Sequence, residues 1–293
     1  MSRHLVILNP VAGRGRARRE WPRMADALRA AGVAFEVAQT STPGEAERLA
    51  AQGASRFDAL IAAGGDGTVH GVVNGLLGAG GTAALGVLPL GSGDDFAKML
   101  PAGDPIARIA RGAARAFDAG RIAAGATRFF ANGMDVGFGA HASRNVRRVP
   151  RPFTGLGAYL GALFLTLVRY PRLELRLQLD EGEAFAQTTA MTAVMNGRAF
   201  GGSFHVCPDA RADDGELDLL IAEGVGRLAI LGLVPRIMRG THGADPRLTL
   251  TRARKVLIES EAPLLVEADG EIVFEDARRL EIAILPGALR VLA

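Results

Sequence analysis

An aspartate set among glycines at the end of an apolar run is the part of this sequence best suited to chemistry. Leu60-Ile61-Ala62-Ala63 leads into Gly64-Gly65-Asp66-Gly67-Thr68, and Val69, Val72, Val73, Leu76 and Leu77 follow at the spacing of an amphipathic helix. The stretch predicts strand, glycine turn, helix. Such a turn lets backbone approach a ligand closely, and a helix starting there offers unpaired N–H groups and a positive dipole end, which together make a phosphate cradle. Asp66 would repel a bare phosphate, so its presence calls for Mg²⁺ or a donor-rich contact between the two. An ordinary strand-to-helix turn has the same appearance, so the weight falls on what else the chain places beside it.

Three more loops have the same setting. Leu5 to Leu8 predicts a buried strand ending in Asn9-Pro10-Val11-Ala12-Gly13-Arg14-Gly15, before a helix whose inner face is Trp21, Met24, Ala25 and Leu28. Arg14, Arg16, Arg18 and Arg19 crowd the start of that helix, where positive charge opposes the dipole. Arg14 is placed on phosphate, and Arg18 and Arg19 on a solvated basic face. Val33, Phe35 and Val37 alternate as a strand ending at Thr40-Ser41-Thr42, with a helix from near Pro43. Further strands fall at 57–63 and 83–88, the last leading into Leu88-Pro89-Leu90-Gly91-Ser92-Gly93-Asp94-Asp95-Phe96-Ala97. Strands alternating with helices predict a parallel sheet whose ligands bind beyond the carboxyl ends of the strands, and all four loops lie at such ends.

From about residue 122 the period becomes two. Leu173, Leu175, Leu177 and Leu179 alternate with Glu174, Arg176 and Gln178, and similar runs fall near 189–196, 216–222, 255–259, 264–268 and 279–285. Two helices interrupt them, near 153–168 and 226–239. The fold class is therefore α/β plus β, with residues 1–121 as an α/β nucleotide-binding domain and 122–293 as a mostly β substrate domain whose last residues return to the first.

Composition narrows the function. A chain of 293 residues, 48% hydrophobic and 22% charged, is ordinary globular material with room for two cores. All but two of its 34 Lys and Arg residues are arginine, and guanidinium forks bind phosphate bidentately. The basic residues are spread along the chain, and one Trp and two Tyr offer little base stacking, so nucleic acid is not expected as a partner. A single cysteine, Cys207, excludes an internal disulfide, and no Cys/His group has zinc spacing. With a strand pattern from the first residues and no apolar run long enough to span a bilayer, a cytoplasmic protein is expected.

Six blocks in order resemble the diacylglycerol kinase catalytic family, the bacterial lipid kinases related to sphingosine kinases. They are Asn9-Pro10 with Gly13; Gly64 to Thr68 with Asn74-Gly75; Pro89 to Ala97; Asn196-Gly197 with Gly201-Gly202; Pro208-Asp209-Ala210 with Asp214-Gly215-Glu216-Leu217-Asp218; and Asp269-Gly270-Glu271. The resemblance covers most of the chain and implies an NAD-kinase-like α/β domain followed by a β-sandwich domain, using ATP to phosphorylate a lipid hydroxyl. It carries nucleotide contacts onto Asn9, Pro10, Val11, Ala12, Gly13, Thr40, Gly64, Gly65, Asp66, Gly67, Thr68, Gly91, Ser92 and Asp95. It places the general base on Glu271 and a structural Mg²⁺ site at Arg211, Asp214 and Glu216, the first and last through main-chain carbonyls. Without it, Asp269-Gly270-Glu271 reads as a hairpin turn.

Two places depart from the family pattern. His70-Gly71 stands where an Asn-Glu pair is usual, and Asp94 where Asn is usual. On the first turn of its helix His70 reads as a surface residue, and Asp94 adds negative charge beside the phosphates. The departures leave two other readings open, a non-catalytic nucleotide- or lipid-binding regulator and an NAD-kinase-like enzyme. The run from Phe153 to Val168, flanked by Arg147, Arg148, Arg151, Arg169 and Arg172, fits peripheral contact with the anionic inner membrane face and equally fits a helix packed on the β domain. A homodimer is also left open.

Overall fold

The computed structural model describes residues 3–146, 149, 155–168 and 172–293. The chain divides into two compact units, one of Met1–Asp118 and Gly287–Ala293, the other of Ala119–Pro286.

The first is an α/β unit. Its elements are β1 (His4–Leu8), α1 (Ala12–Ala30), β2 (Phe35–Gln39), α2 (Glu45–Gly53), β3 (Ala59–Gly64), α3 (Asp66–Gly78), β4 (Ala84–Pro89), α4 (Asp95–Met99) and α5 (Pro105–Arg111). The strands run parallel in the order β2-β1-β3-β4. β1 and β3 are buried along their whole length, as continuous apolar runs between helix layers must be. β2 is more exposed, and Phe35 meets Trp21 of α1 edge to face at 6.0 Å. Ala25 and Leu28 of α1 are buried, with Trp21 and Met24 packed partly buried beside Val6, Leu8 and Ile61, so the inner face expected of this helix is the observed one.

The second unit is mostly β: β5 (Ala114–Ala124), which begins in the first unit, β6 (Ala126–Phe130), β7 (Gly133–Gly137), α6 (Phe138–Val146), α7 (Gly155–Val168), β8 (Leu173–Leu179), β9 (Phe185–Met195), β10 (Leu217–Glu223), α8 (Arg227–Met238), β11 (Leu248–Ala253), β12 (Lys255–Ala268) and β13 (Glu271–Leu292), which ends in the first unit. The long strands β9 and β12 each change partner along their length, pairing with β8 at one end and β7 at the other. Sharing strands in this way folds the ladder into two faces around Leu175, Leu177, Val194, Leu219, Ile258 and Val266. The outer face of β9 and β10 is covered by helices, through Phe138, Leu163, Ile230 and Leu233. Both helices expected in this half are present. The β5–β7 run lacked a clear period in the sequence, because Gly120, Gly125, Gly133 and Gly137 break the alternation, and β11, Leu248–Ala253, was not singled out.

Candidate functional site

In the α/β unit the expected loops converge. Asn9 donates from Nδ2 to Thr68 Oγ1 at 3.2 Å and takes the Val11 N–H on Oδ1, tying the first loop to the glycine turn. Leu90 N–H donates to Gly64 O at 2.8 Å, bringing in the third. The approach is close enough to need glycine: a Cβ on Gly91 would stand 2.5 Å from Gly65 Cα, and one on Gly13 would strike Leu90 O. Gly13, Arg14 and Gly15 all have positive φ, so the start of α1 is in effect a loop, which Arg14 leaves as an exposed side chain. Thr40 lies at the end of β2, its N–H on Leu8 O at 2.9 Å. Asn9 to Arg14, Thr40, Gly64 to Thr68 and Gly91 to Asp95 thus lie at the carboxyl ends of β1, β2, β3 and β4.

Asp66 stands at the start of α3 and takes the Phe96 N–H on Oδ1 at 3.2 Å, so it also caps α4. Its carboxyl is pushed up to about 7, first by burial and then by the charge of Asp95, with Asp94 adding to it. Asp94 is left-handed, with φ 53°, and holds the Gly91 N–H at 2.9 Å. Its own carboxyl is raised, again chiefly by burial. Lys98 pairs with Asp95 at 2.9 Å, and Arg16 adds a second positive charge beside Asp94. Negative charge thus gathers at the carboxyl ends of β3 and β4, where burial and mutual repulsion raise Asp66.

The structure corrects the reading of His70. It is buried, 8% exposed, and lies against Asn74, whose Nδ2 is 3.3 Å from Nε2. At its neighbour Gly71 a Cβ would stand 3.0 Å from Ala46 Cβ and 3.3 Å from Glu47 N. α2 packs closely on α3 here, and a side chain at 71 would be tight against Ala46 and Glu47.

In the β unit, β12 and β13 meet at Asp269-Gly270, both with positive φ, and Glu271 opens β13 half-buried. Asp269 is committed elsewhere. Its carboxylate accepts the N–H groups of Ala131, Asn132 and Gly133 at 2.9, 2.9 and 3.1 Å, which leaves it poorly placed to act as a base beside Glu271. At the Arg211 to Asp218 loop, Asp214 Oδ1 takes the Glu216 N–H, and Arg252 of β11 answers the acids. Arg252 lies 3.0 Å from Asp218, 3.5 Å from Glu216 and 3.8 Å from Asp214. Arg211 pairs with Asp213 at 3.3 Å. Among the described residues no three His, Cys, Asp or Glu side chains gather as a metal cage.

The β unit also contains an apolar pocket under α7 and α8, lined by residues such as Leu163, Met191, Phe204, Ile230, Leu233 and Ile237. On the outside of the same helices Leu160, Phe164, Leu165, Val168, Leu228 and Leu231 are exposed, Leu228 by 84% and Phe164 by 67%. Ala162, Leu163 and Thr166 of α7 pack inward, as the helix packed on the β domain requires, while the opposite side faces solvent. Arg147, Arg148, Arg151, Phe153 and Arg169, and the side chains of Leu156 and Tyr159, lie outside the described residues; Arg172 is exposed. α8, with Arg227 and Arg239 exposed at its ends, adds an apolar face that the sequence reading had not singled out.

Residues 3–122 match the family model described as diacylglycerol kinase catalytic domain, and residues 132–293 the one described as YegS C-terminal NAD kinase beta sandwich-like domain. A diacylglycerol kinase of Mycobacterium tuberculosis is 31% identical over 98% of this chain and 94% of its own length. The chain belongs to the diacylglycerol kinase catalytic family. A "Probable lipid kinase YegS-like" of Pseudomonas fluorescens is 34% identical over 91% of this chain and 88% of its own. The crystal structure of a diacylglycerol kinase from Bacillus anthracis has the same fold, with TM-score 0.73 at 21% identity over 99% of this chain and 96% of that one. Within this diacylglycerol kinase family member, Asp94 is the departure with the clearest electrostatic consequence. Asn in its place keeps the acceptor for Gly91 N–H and removes one negative charge beside Asp66. D94N is expected to bind ATP about threefold to tenfold more tightly, which titration calorimetry at fixed Mg²⁺ and salt checks; unchanged or weaker binding contradicts the charge argument.

Proposed function

We propose that this kinase transfers the γ-phosphoryl group of ATP to the hydroxyl of a lipid of the diacylglycerol type, its acyl portion accommodated by the apolar pocket under α7 and α8. That pocket is the observation that carries the lipid reading. A dinucleotide acceptor needs polar partners, and the lining offers none. The NAD-kinase-like alternative is disfavoured on this ground, and the regulator alternative by the retained Asp66 and Glu271.

Phosphoryl transfer asks the protein for positioning and charge neutralisation. N–H groups of the loops at Gly13, Gly65 and Gly91, with Arg14, bind the phosphates. Asp66 is the carboxylate suited to Mg²⁺ arriving with ATP, whose chemistry is neutralisation of phosphate charge. Burial and the neighbouring charges of Asp95 and Asp94 raise its proton affinity, which supports a place for a cation beside it. Glu271 takes the proton from the acceptor hydroxyl late in the transfer, a task that suits an ordinary carboxylate. A second Mg²⁺ in the β unit would rest on Asp214 and the carbonyls of Arg211 and Glu216, a structural role outside the transfer.

The exposed faces of α7 and α8 fit peripheral contact with anionic membrane. Binding to anionic vesicles is expected to weaken as salt rises, and L160E with F164E to remove it while circular dichroism stays unchanged. Vesicle sedimentation checks this. Equal absence of wild-type binding to neutral and anionic vesicles makes these faces something other than a membrane contact. The acceptor itself is tested by phosphorylation of a lipid panel in mixed micelles, with NAD as the competing acceptor.

A further inference from the structure

Two carboxyl groups lie buried against each other in the β unit, and neither the fold nor the proposed transfer accounts for them. Asp135 of β7 and Glu267 of β12 are directly cross-strand, 0% and 3% exposed. Asp135 takes the Ala140 N–H on Oδ1 at 2.7 Å, at the start of α6. Glu267 takes the Gly270 N–H on Oε1. Asp135 Oδ2 is buried with no donor among the described residues, and the Asp135 and Glu267 carboxyl groups lie within hydrogen-bonding reach of each other. Gly139 makes the space: a Cβ there would strike Oδ2.

Two acceptors facing each other without a donor are repulsive unless one of them carries a proton. Helix α6 and the Ala140 N–H favour charge on Asp135. The proton then belongs on Glu267, whose carboxyl is raised well above the usual range by burial and next by the Asp135 charge, while Asp135 is raised less, to about 6. Other ionisable groups on the surrounding elements are Asp269, which raises Glu267 further, Glu271 on the same hairpin, and His141 and Arg144 on α6.

We propose that Asp135 and Glu267 share a single proton and, through the Glu267–Gly270 hydrogen bond, act as positioning residues that hold the turn presenting Glu271. The proposal rests on the reading of Glu271 as the base. Glu267 anchors the turn from below at Gly270, and Asp269 anchors its other side to residues 131–133. Protonated, the pair is a hydrogen bond. Fully deprotonated, it is two charges in the core, and the strands and the turn must part to hydrate them. Turnover therefore falls on the alkaline side as the shared proton leaves, with ATP binding in the other unit untouched.

E267Q separates this from a merely structural role, because its amide donates to Asp135 permanently and its oxygen still takes the Gly270 N–H. The measurement is the pH profile of kcat and of the ATP KM for wild type, E267Q and E267L, together with the infrared difference spectrum of wild type against E267Q. The expected results are a protonated-carboxyl band at neutral pH, lost on the same alkaline interval as wild-type kcat. E267Q turns over within a few-fold of wild type and lacks that alkaline fall. E267L, which cannot hold Gly270, loses about tenfold to a hundredfold in kcat at unchanged ATP KM. Absence of the band, or an E267Q profile that falls like the wild type, overturns the proposal, and E267Q keeps the test decisive even where E267L does not fold. The band reports on the pair whatever Glu271 does, whereas full turnover in E271Q overturns the base.

Discussion

Replacing Asp66 is expected to abolish phosphoryl transfer and to leave the protein folded and, above neutral pH, no less stable. The carboxylate is largely buried and caps α4, and its folded-state pKa of about 7 lies above the ordinary carboxylate value of 3.8. An acid raised on folding holds its proton longer in the native state, so its contribution favours folding at low pH and is lost as pH rises from the unfolded value through about 7. D66N keeps the oxygen that accepts the Phe96 N–H and removes the charge. It is therefore expected to melt at or above the wild-type temperature at pH 8, while D66A loses that cap as well, at a cost of roughly 1 kcal/mol. Both lose turnover. Where Mg²⁺–ATP displaces the Asp66 proton, wild-type nucleotide affinity rises as pH passes through about 7, and that rise is absent in D66N. Calorimetry in buffers of different ionisation heat reads the released proton. Unchanged turnover in either variant removes Asp66 from the chemistry, and pH-independent affinity in the wild type removes the cation from Asp66.

E271Q is expected to lose roughly two to four orders of magnitude in single-turnover rate, the span of a general base, with ATP affinity nearly unchanged. The amide keeps the shape and hydrogen-bonding reach of the carboxylate and cannot take a proton. The loss belongs at the upper end of that span, because Asp269, the nearest candidate to stand in, has its carboxylate occupied by three main-chain N–H groups. Nucleotide binding and single-turnover phosphorylation measured on one preparation separate the cases. Full activity ends the base assignment, and lost ATP binding makes Glu271 structural.

The α/β half was legible because its signals are local. β1 and β3 are continuous apolar runs, each ends in a glycine turn, and each turn opens a helix with a regular stripe, so the loops could be placed at one end of the sheet without coordinates. What the sequence could not show was contact across distance. His70 looks like a surface residue from its place on the first helical turn, yet it is buried and lies against Asn74. Arg252 is one arginine among many until β11 sets it opposite Asp218. Asp135 and Glu267 stand 132 positions apart by numbering, each a lone acid in an apolar run, and the only sequence signal was their polarity in strands that should be buried there. The apolar pocket likewise draws on α6, α7, α8 and three strands at once. Glu271 is the reverse case: as a residue after a hairpin turn it shows nothing of its role, and its assignment entered through the resemblance.

The most direct test of the account is transfer of radiolabel from the γ-position of ATP to a lipid in mixed micelles. Wild type, D66N and E271Q are run against diacylglycerol, a sphingoid base, phosphatidylglycerol and, as the soluble competitor, NAD. The account predicts label in the lipid phase for a lipid with a free hydroxyl, none on NAD, no transfer by D66N and strongly slowed transfer by E271Q. Label on NAD, or wild-type transfer by both variants, would contradict it.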